Sequence, residues 1–209
     1  MFRVLLFTFL FSSALPARAI LVQHISITPY QVVSISVSGF YTGPALAGIN
    51  QLLVDGIAAN GFCIDPFHFS LPSSPGFQFT SLADAPKPPG TMGAAKADQI
   101  SKLWAMAYSP TMTASQAAGF QIAIWEIVGG PSFSLFGSDY GASALFASLA
   151  SFTGPGANLI ALTGPGQDFV IQDFRPSAVP EGGMTVTLLA LGVTGIVILR
   201  RRTVSLACR

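Results

Sequence analysis

Two short stretches of this chain concentrate residues able to do chemistry: Gly61-Phe62-Cys63-Ile64-Asp65, with His68 just beyond, and Phe120-Gln121-Ile122-Ala123-Ile124-Trp125-Glu126. Cys63 is one of two cysteines, and the other, Cys208, lies past a run of arginines at the far end. A thiol so isolated is a small buried hydrophobe, a reactive nucleophile, or a partner in some other covalent bond. Asp65 and His68 are near enough in sequence to move a proton for Cys63, and equally to supply the hydrogen bonds of a turn beside Pro66. A Cys-His hydrolase would use Cys63 as nucleophile and His68 or His24 as base, but the chain has two histidines only and no local signature around the cysteine. The same residues lack the ligand count and spacing of a zinc site, so no metal is expected. No Gly-rich phosphate loop is present, and no cofactor is expected.

The two stretches resemble the paired motifs of thioester domains in bacterial surface adhesins, in which an aromatic-Cys strand faces a Gln-x-Ala-Ile-Trp segment. The resemblance implies that the Cys63 sulfur condenses with the Gln121 side-chain amide, releasing ammonia and leaving an internal thioester. It also implies that Ala123, Ile124 and Trp125 pack the second segment. Phe120 stands where the commonest form of the family motif has Thr. A thioester is a stored electrophile, because sulfur leaves more readily than an amide nitrogen, and attack by an amine or hydroxyl ends in a covalent amide or ester. Such a site needs water-excluding walls, which Phe62, Phe120 and Trp125 can provide, and a donor for the developing oxyanion. The competing expectation is structural: Cys63 fills the core, Gln121 lies on a helix surface, and Trp125 anchors that helix.

The elements that would carry these residues follow from periodicity. Ile25 to Val37 alternates and reads as strand, interrupted at Pro29; Phe40 to Pro44 reads as a turn; Gly61 to Phe67 reads as a second strand bearing Cys63. Leu71 to Gly90, rich in Pro, Ser and Gly, is expected to be an irregular surface loop. A helix is expected from about Ala94 to Tyr108, a second from an N-cap at Thr113 or Ser115 to Val128 bearing Gln121 and Trp125, and a third from Ser138 to near Phe152. Gln167 to Phe174 alternates again. Strands at both ends with about three helices between them give an α+β expectation for a single extracellular domain, with one transmembrane helix after it.

The chain ends point to export. Residues 1–19 carry Arg3, an apolar run and the small-residue sequence Ala17-Arg18-Ala19, the pattern of a signal peptide. Near the other end an uncharged stretch from Gly182 to Leu199 would span about 27 Å as a helix at ~1.5 Å per residue, and Arg200, Arg201 and Arg202 would hold its end on the cytoplasmic side. The order of Pro180, Glu181 and Gly182, apolar stretch and arginines resembles the PEP-CTERM sorting signals, including their Val-Pro-Asp-Ser-Gly-like variants. That resemblance implies an exosortase-like sorting enzyme and the membrane as partners; Gly182 stands in place of the second proline, and a tail over 203–209 follows. The expected division is 1–19 signal peptide, 20–178 extracellular domain, 179–202 sorting signal, 203–209 tail. Whole-chain charge is +1, but between Ile20 and Pro180 four basic residues face eight acidic ones, a net charge of −4. No basic patch for nucleic acid exists. The expected function is a surface binding or adhesion module with an unnamed surface or matrix target, and not a turnover enzyme; a non-covalent component of the extracellular matrix is the alternative.

Overall fold

The computed structural model describes residues 19–174, among which lie nine β-strands and three α-helices. In chain order they are β1 (Ile20–Val37), β2 (Tyr41–Val54), β3 (Ile57–Cys63), β4 (Ser73–Thr80), the short β5 (Pro86–Lys87) and β6 (Gly90–Thr91), α1 (Ala94–Ala107), α2 (Ala114–Gly129), β7 (Phe133–Phe136), α3 (Ala142–Ser151), β8 (Leu159–Thr163) and β9 (Phe169–Gln172). Residues 19–173 belong to one compact unit.

Every strand pairing is antiparallel, and the main sheet runs β2-β3-β9-β8-β4-β1-β7 with a further pairing of β1 to β2. That extra pairing closes β1, β2, β3, β9, β8 and β4 into a ring, which leaves no open edge among them. Alternation assigns the two faces of the ring. Ile160 and Leu162 of β8 and Phe169 and Ile171 of β9 point inward with Val22, Leu52, Val54 and Phe77, forming a small core. Ala161 and Val170, the intervening residues, point outward into a larger core shared with the helices.

The β2-β3 connection sets the register of the site. Asp55 and Gly56 make a two-residue turn with φ of 49° and 84°, both left-handed, the geometry that matches the twist of a tight hairpin. From Val54 opposite Ile57 the ladder runs to Asn50 opposite Gly61 and stops there. By alternation, Cys63 is the next residue of β3 whose backbone faces the β2 side.

α2 is the helix against which the rest of the helical layer packs, touching β1, β2, β3, α1 and α3. Buried residues run from Ala117 through Trp125 and resume at Ile127, so this helix is buried on all sides, and apart from Gln121 its buried residues are apolar. Its start is fixed by a capping box: Thr113 Oγ1 accepts from the Gln116 N–H at 3.3 Å, while Gln116 Oε1 accepts from the Thr113 N–H at 2.9 Å. Gly119 allows the close approach of the turn before α3, since a Cβ there would meet the Tyr140 carbonyl oxygen at 2.3 Å.

The structure corrects several sequence expectations. Strands are not confined to the two ends, because β7 lies between α2 and α3. The expected loop from Leu71 to Gly90 holds β4, β5 and β6; Pro75 and Gly76, which suggested a loop, fall at a bulge between Ser74 and Phe77, where β4 gains one residue over β1. The expected turn at Gly43-Pro44 is instead part of β2, paired with Ile35 and Ser34. α3 begins at Ala142 with Gly141 as its N-cap, and not after Ser138; Asp139 holds the turn before it, accepting from the N–H groups of Gly141 and Ser143. The fold class becomes a sheet-rich α+β domain with three helices among the described residues, none of them long and apolar enough to cross a membrane. The transmembrane helix expected over 182–199 is not among them; those residues lie outside the described ones, as do residues 1–18 of the expected signal peptide and Pro180, Glu181, Gly182, Arg200, Arg201 and Arg202 of the expected sorting signal.

The capping box predicts a measurable contribution. Thr113→Ala removes the side-chain acceptor at the start of α2 and should lower the unfolding free energy by about 1 kcal/mol in denaturant titration, while Ser115→Ala, one turn position later and outside the box, should change it by a few tenths at most.

Candidate functional site

Cys63 ends β3 and Gln121 sits in the second turn of α2, and the fold brings the two together in the larger core with both fully buried. The Cys63 N–H donates to Gln121 Oε1 at 2.9 Å, and Gln121 Nε2 donates to the Cys63 carbonyl oxygen at 2.8 Å. The side-chain amide therefore occupies the place that another β2 residue would take beyond Asn50, and continues the ladder on β3 as a one-residue strand. Gln121 is not on a helix surface as the structural expectation had it. An amide carried into the interior without partners would cost about 1–3 kcal/mol, and here both of its polar atoms are satisfied by a single residue.

Trp125 is one helical turn beyond Gln121 and so lies on the same face of α2. Its indole N–H donates to Cys63 Sγ at 3.3 Å, and the Asp65 backbone N–H donates to the same sulfur at 3.3 Å. Burial pushes the Cys63 thiol up to about 12, against the lowering effect of these two donors; the charges of Asp65 and Asp168 push it the same way as burial. The thiol is thus protonated at neutral pH, which is the opposite of the electropositive setting that activates a nucleophilic cysteine.

Phe62 and Phe120 form the wall on one side. Their rings lie 4.6 Å apart, and Trp104 and Tyr108 of α1 extend the cluster, with Trp104 edge-on to Phe62 at 5.5 Å. On the other side Cys63 and Trp125 line a cavity of about 260 Å³, whose lining also includes Phe40, Tyr41, Phe69 and His68. Cys63 is consequently at the boundary between the buried aromatic cluster and this cavity.

Asp65 and His68 do both things that the sequence allowed. Asp65 Oδ1 accepts from the Phe67 N–H at 3.1 Å, a local turn bond, while Asp65 Oδ2 lies 2.7 Å from His68 Nδ1. Asp65 is buried and the His68 ring is more than half exposed. His24 is elsewhere: its Nε2 pairs with Asn50 Oδ1 at 2.9 Å and its ring stacks on Phe169. Neither histidine hydrogen-bonds the sulfur among the described residues, so the hydrolase geometry, in which a base holds the thiol proton, is not what surrounds Cys63. No group of three or more His, Cys, Asp or Glu side chains that could hold a metal is found among the described residues.

Three site residues lay outside the sequence reading. Asp168, just before β9, accepts the Ile64 N–H through its backbone oxygen and the Gly164 N–H through Oδ1. Gln167 donates from Nε2 to the backbone oxygens of Asp65 and His68, pinning the loop after β3. Asn50 is buried on the cavity wall. The alternation from Gln167 onward marked the strand but gave no sign that its first two residues reach back to the Cys63 loop.

Neither a protein-family model, nor a curated protein, nor a solved structure matches the chain. The class of site is therefore defined by its geometry: a buried Cys and a buried Gln amide joined through the cysteine backbone, beside an aromatic-lined cavity.

Asp168 makes the region sensitive to pH. Burial is the main cause that raises its carboxyl from 3.8 to about 7, Asp65 adds to it, and the Gly164 N–H and His68 oppose it. Between about pH 4 and about pH 7 the folded chain holds a proton here that the unfolded chain has released, so this contribution to stability is present at the acid end and is lost as pH rises. Thermal unfolding across that range should show a melting temperature pulled down toward neutrality, and Asp168→Asn should flatten the slope while keeping the bond to Gly164. An identical slope in the variant would contradict the assignment.

Proposed function

We propose that this domain is a covalent surface-binding module, in which Cys63 and Gln121 form an internal thioester that a target amine or hydroxyl opens. The observation that carries the reading is the reciprocal pair of hydrogen bonds between the Gln121 amide and the Cys63 backbone, made in full burial. It holds the amide against the residue whose sulfur must attack it, in an interior where the chain itself shields both groups from solvent.

The chemistry balances with the groups present. In formation, the Cys63 Sγ–H adds to the Gln121 amide carbon, the C–Nε2 bond breaks, and the thiol proton leaves with the nitrogen as ammonia. In capture, the target nucleophile adds to the same carbon and the C–S bond breaks, leaving a target amide or ester and the Cys63 thiol. In both steps negative charge develops on Gln121 Oε1, and the Cys63 N–H already points at that atom from 2.9 Å. Such a fixed donor is the kind that lowers the barrier to acyl transfer. The two N–H groups on Sγ favour sulfur as the leaving group in capture. Phe120 in place of a threonine leaves these bonds intact, because the amide is oriented by the Cys63 backbone and not by the preceding side chain.

Delivery to the cell envelope belongs to the same proposal and rests on the signal-like and sorting-like sequences at the two chain ends, with an exosortase-like enzyme as processing partner. Cell fractionation with amino-terminal sequencing should find the mature chain beginning at Ile20 in the envelope; a cytoplasmic chain retaining Met1 would refute that part.

Exposure of the folded domain to methylamine should give N-methylated Gln121 in the peptide map together with a newly titratable Cys63 thiol. Cys63→Ala and Gln121→Ala should each abolish incorporation. Failure of the folded wild-type domain to take up methylamine at Gln121 would count against the thioester.

A further inference from the structure

His68 and Asp65 form an ordered pair on the wall of the cavity that reaches Cys63, and the thioester chemistry as written uses neither side chain. A carboxylate only accepts, so Nδ1 is the donor in the 2.7 Å contact, and in the neutral ring Nε2 is then the nitrogen that carries the lone pair. The orienting group is itself fixed: Asp65 is buried, with its other oxygen bound to the Phe67 N–H. The histidine backbone is fixed as well, since Gln167 Nε2 donates to its carbonyl oxygen at 3.3 Å and the Gln167 N–H donates to the Phe69 carbonyl oxygen at 3.1 Å. An imidazole held by a carboxylate on one nitrogen and open on the other is the arrangement of a general base.

The cavity gives that base something to act on. Its aromatic walls are set by edge-to-face pairs, Phe40 with Phe67 at 4.8 Å and Tyr41 with Phe69 at 5.7 Å, and His68 and Cys63 both face the same space. A nucleophile held in this cavity lies beside Cys63, the residue to which the Gln121 carbonyl is joined in the thioester.

We propose that His68, oriented by Asp65, is the general base of covalent capture, taking the proton of an amine or hydroxyl in this cavity as it attacks the Gln121 carbonyl carbon. This inference rests on the thioester proposed above. One bond forms, from the target nitrogen or oxygen to the carbonyl carbon, and one breaks, from that carbon to Sγ. The proton travels from the nucleophile to His68 Nε2 and then to the departing sulfur, which returns His68 to its neutral form and leaves Cys63 as a thiol. The last transfer matters because the surroundings of Cys63 disfavour a bare thiolate. Besides Asp65, the titratable groups facing His68 are Cys63 at the end of β3 and Asp168 before β9.

The test compares the intact wild-type, His68→Ala and Asp65→Asn domains in two measurements: thioester content, read as blockage of the Cys63 thiol in the unfolded chain, and the rate of methylamine capture. The His68 ring is largely exposed, so its removal leaves the core untouched. The proposal expects unchanged thioester content in His68→Ala, a capture rate lower by about a hundredfold, and partial recovery of that rate on adding free imidazole. Asp65→Asn, which frees the ring to take the other tautomer, should also slow capture without lowering thioester content. Full thioester with wild-type capture in His68→Ala would overturn the general base and leave the thioester standing. Loss of thioester content in His68→Ala would also overturn it, by placing His68 in bond formation. A wild-type Cys63 thiol that is free from the start would overturn the thioester reading and this inference together.

Discussion

A glutamine amide can be fully buried in this core because one strand residue offers it both an N–H and a C=O, and the rest of the architecture is arranged around that pairing. Cys63 must have its β2 side vacant, which requires the β2-β3 ladder to stop at Asn50 and Gly61. α2 must approach β3 closely enough for a side chain to bridge the gap, which requires a helix that is buried on every face and sits between the ring of strands and the other helices. Loss of the Gln121 amide would leave the Cys63 N–H and C=O unpaired in the core, so the joint between the two layers depends on that one side chain.

The same constraint shapes the chemistry. The donor that satisfies Gln121 Oε1 in the resting amide is already in position for the oxyanion of acyl transfer. Trp125 and Asp65 put N–H groups on the sulfur, while burial keeps its proton on at neutral pH. These opposing influences suit the proposed thioester, in which the sulfur would be shielded from solvent at rest and would accept negative charge as its C–S bond breaks. The cavity beyond the sulfur supplies controlled access, and its aromatic walls are fixed by their own ring contacts.

How much of this could be read in the sequence follows from which interactions are local. The helices bearing Trp104 and Gln121 were legible because their apolar spacing and the Thr113 cap are short-range signals, and the structure places α1 and α2 within a residue or two of the expected ends. The proximity of Cys63 and Gln121 was expected from the paired motifs, across a separation of 58 residues. The sheet was read poorly. β2 was lost because Gly43 and Pro44 resemble a turn, and β4 because Pro75 and Gly76 break its alternation, although in both cases pairing to distant β1 residues supplies what local propensity lacks. Asp55-Gly56 between apolar runs is a strong hairpin signal and would have located the β2-β3 ladder. Closure of the ring, and the reach of Gln167 and Asp168 back to the Cys63 loop, depend on contacts separated by about a hundred residues and leave no periodic trace.

The most direct measurement is the intact mass of the untreated, folded domain, taken without reductant or amine. The account predicts a mass lower than that of the mature sequence by one ammonia, with the deficit lost in both Cys63→Ala and Gln121→Ala. A wild-type mass equal to that of the sequence would contradict it, and the Cys63-Gln121 pair would then be a hydrogen-bonded joint between two layers of the fold.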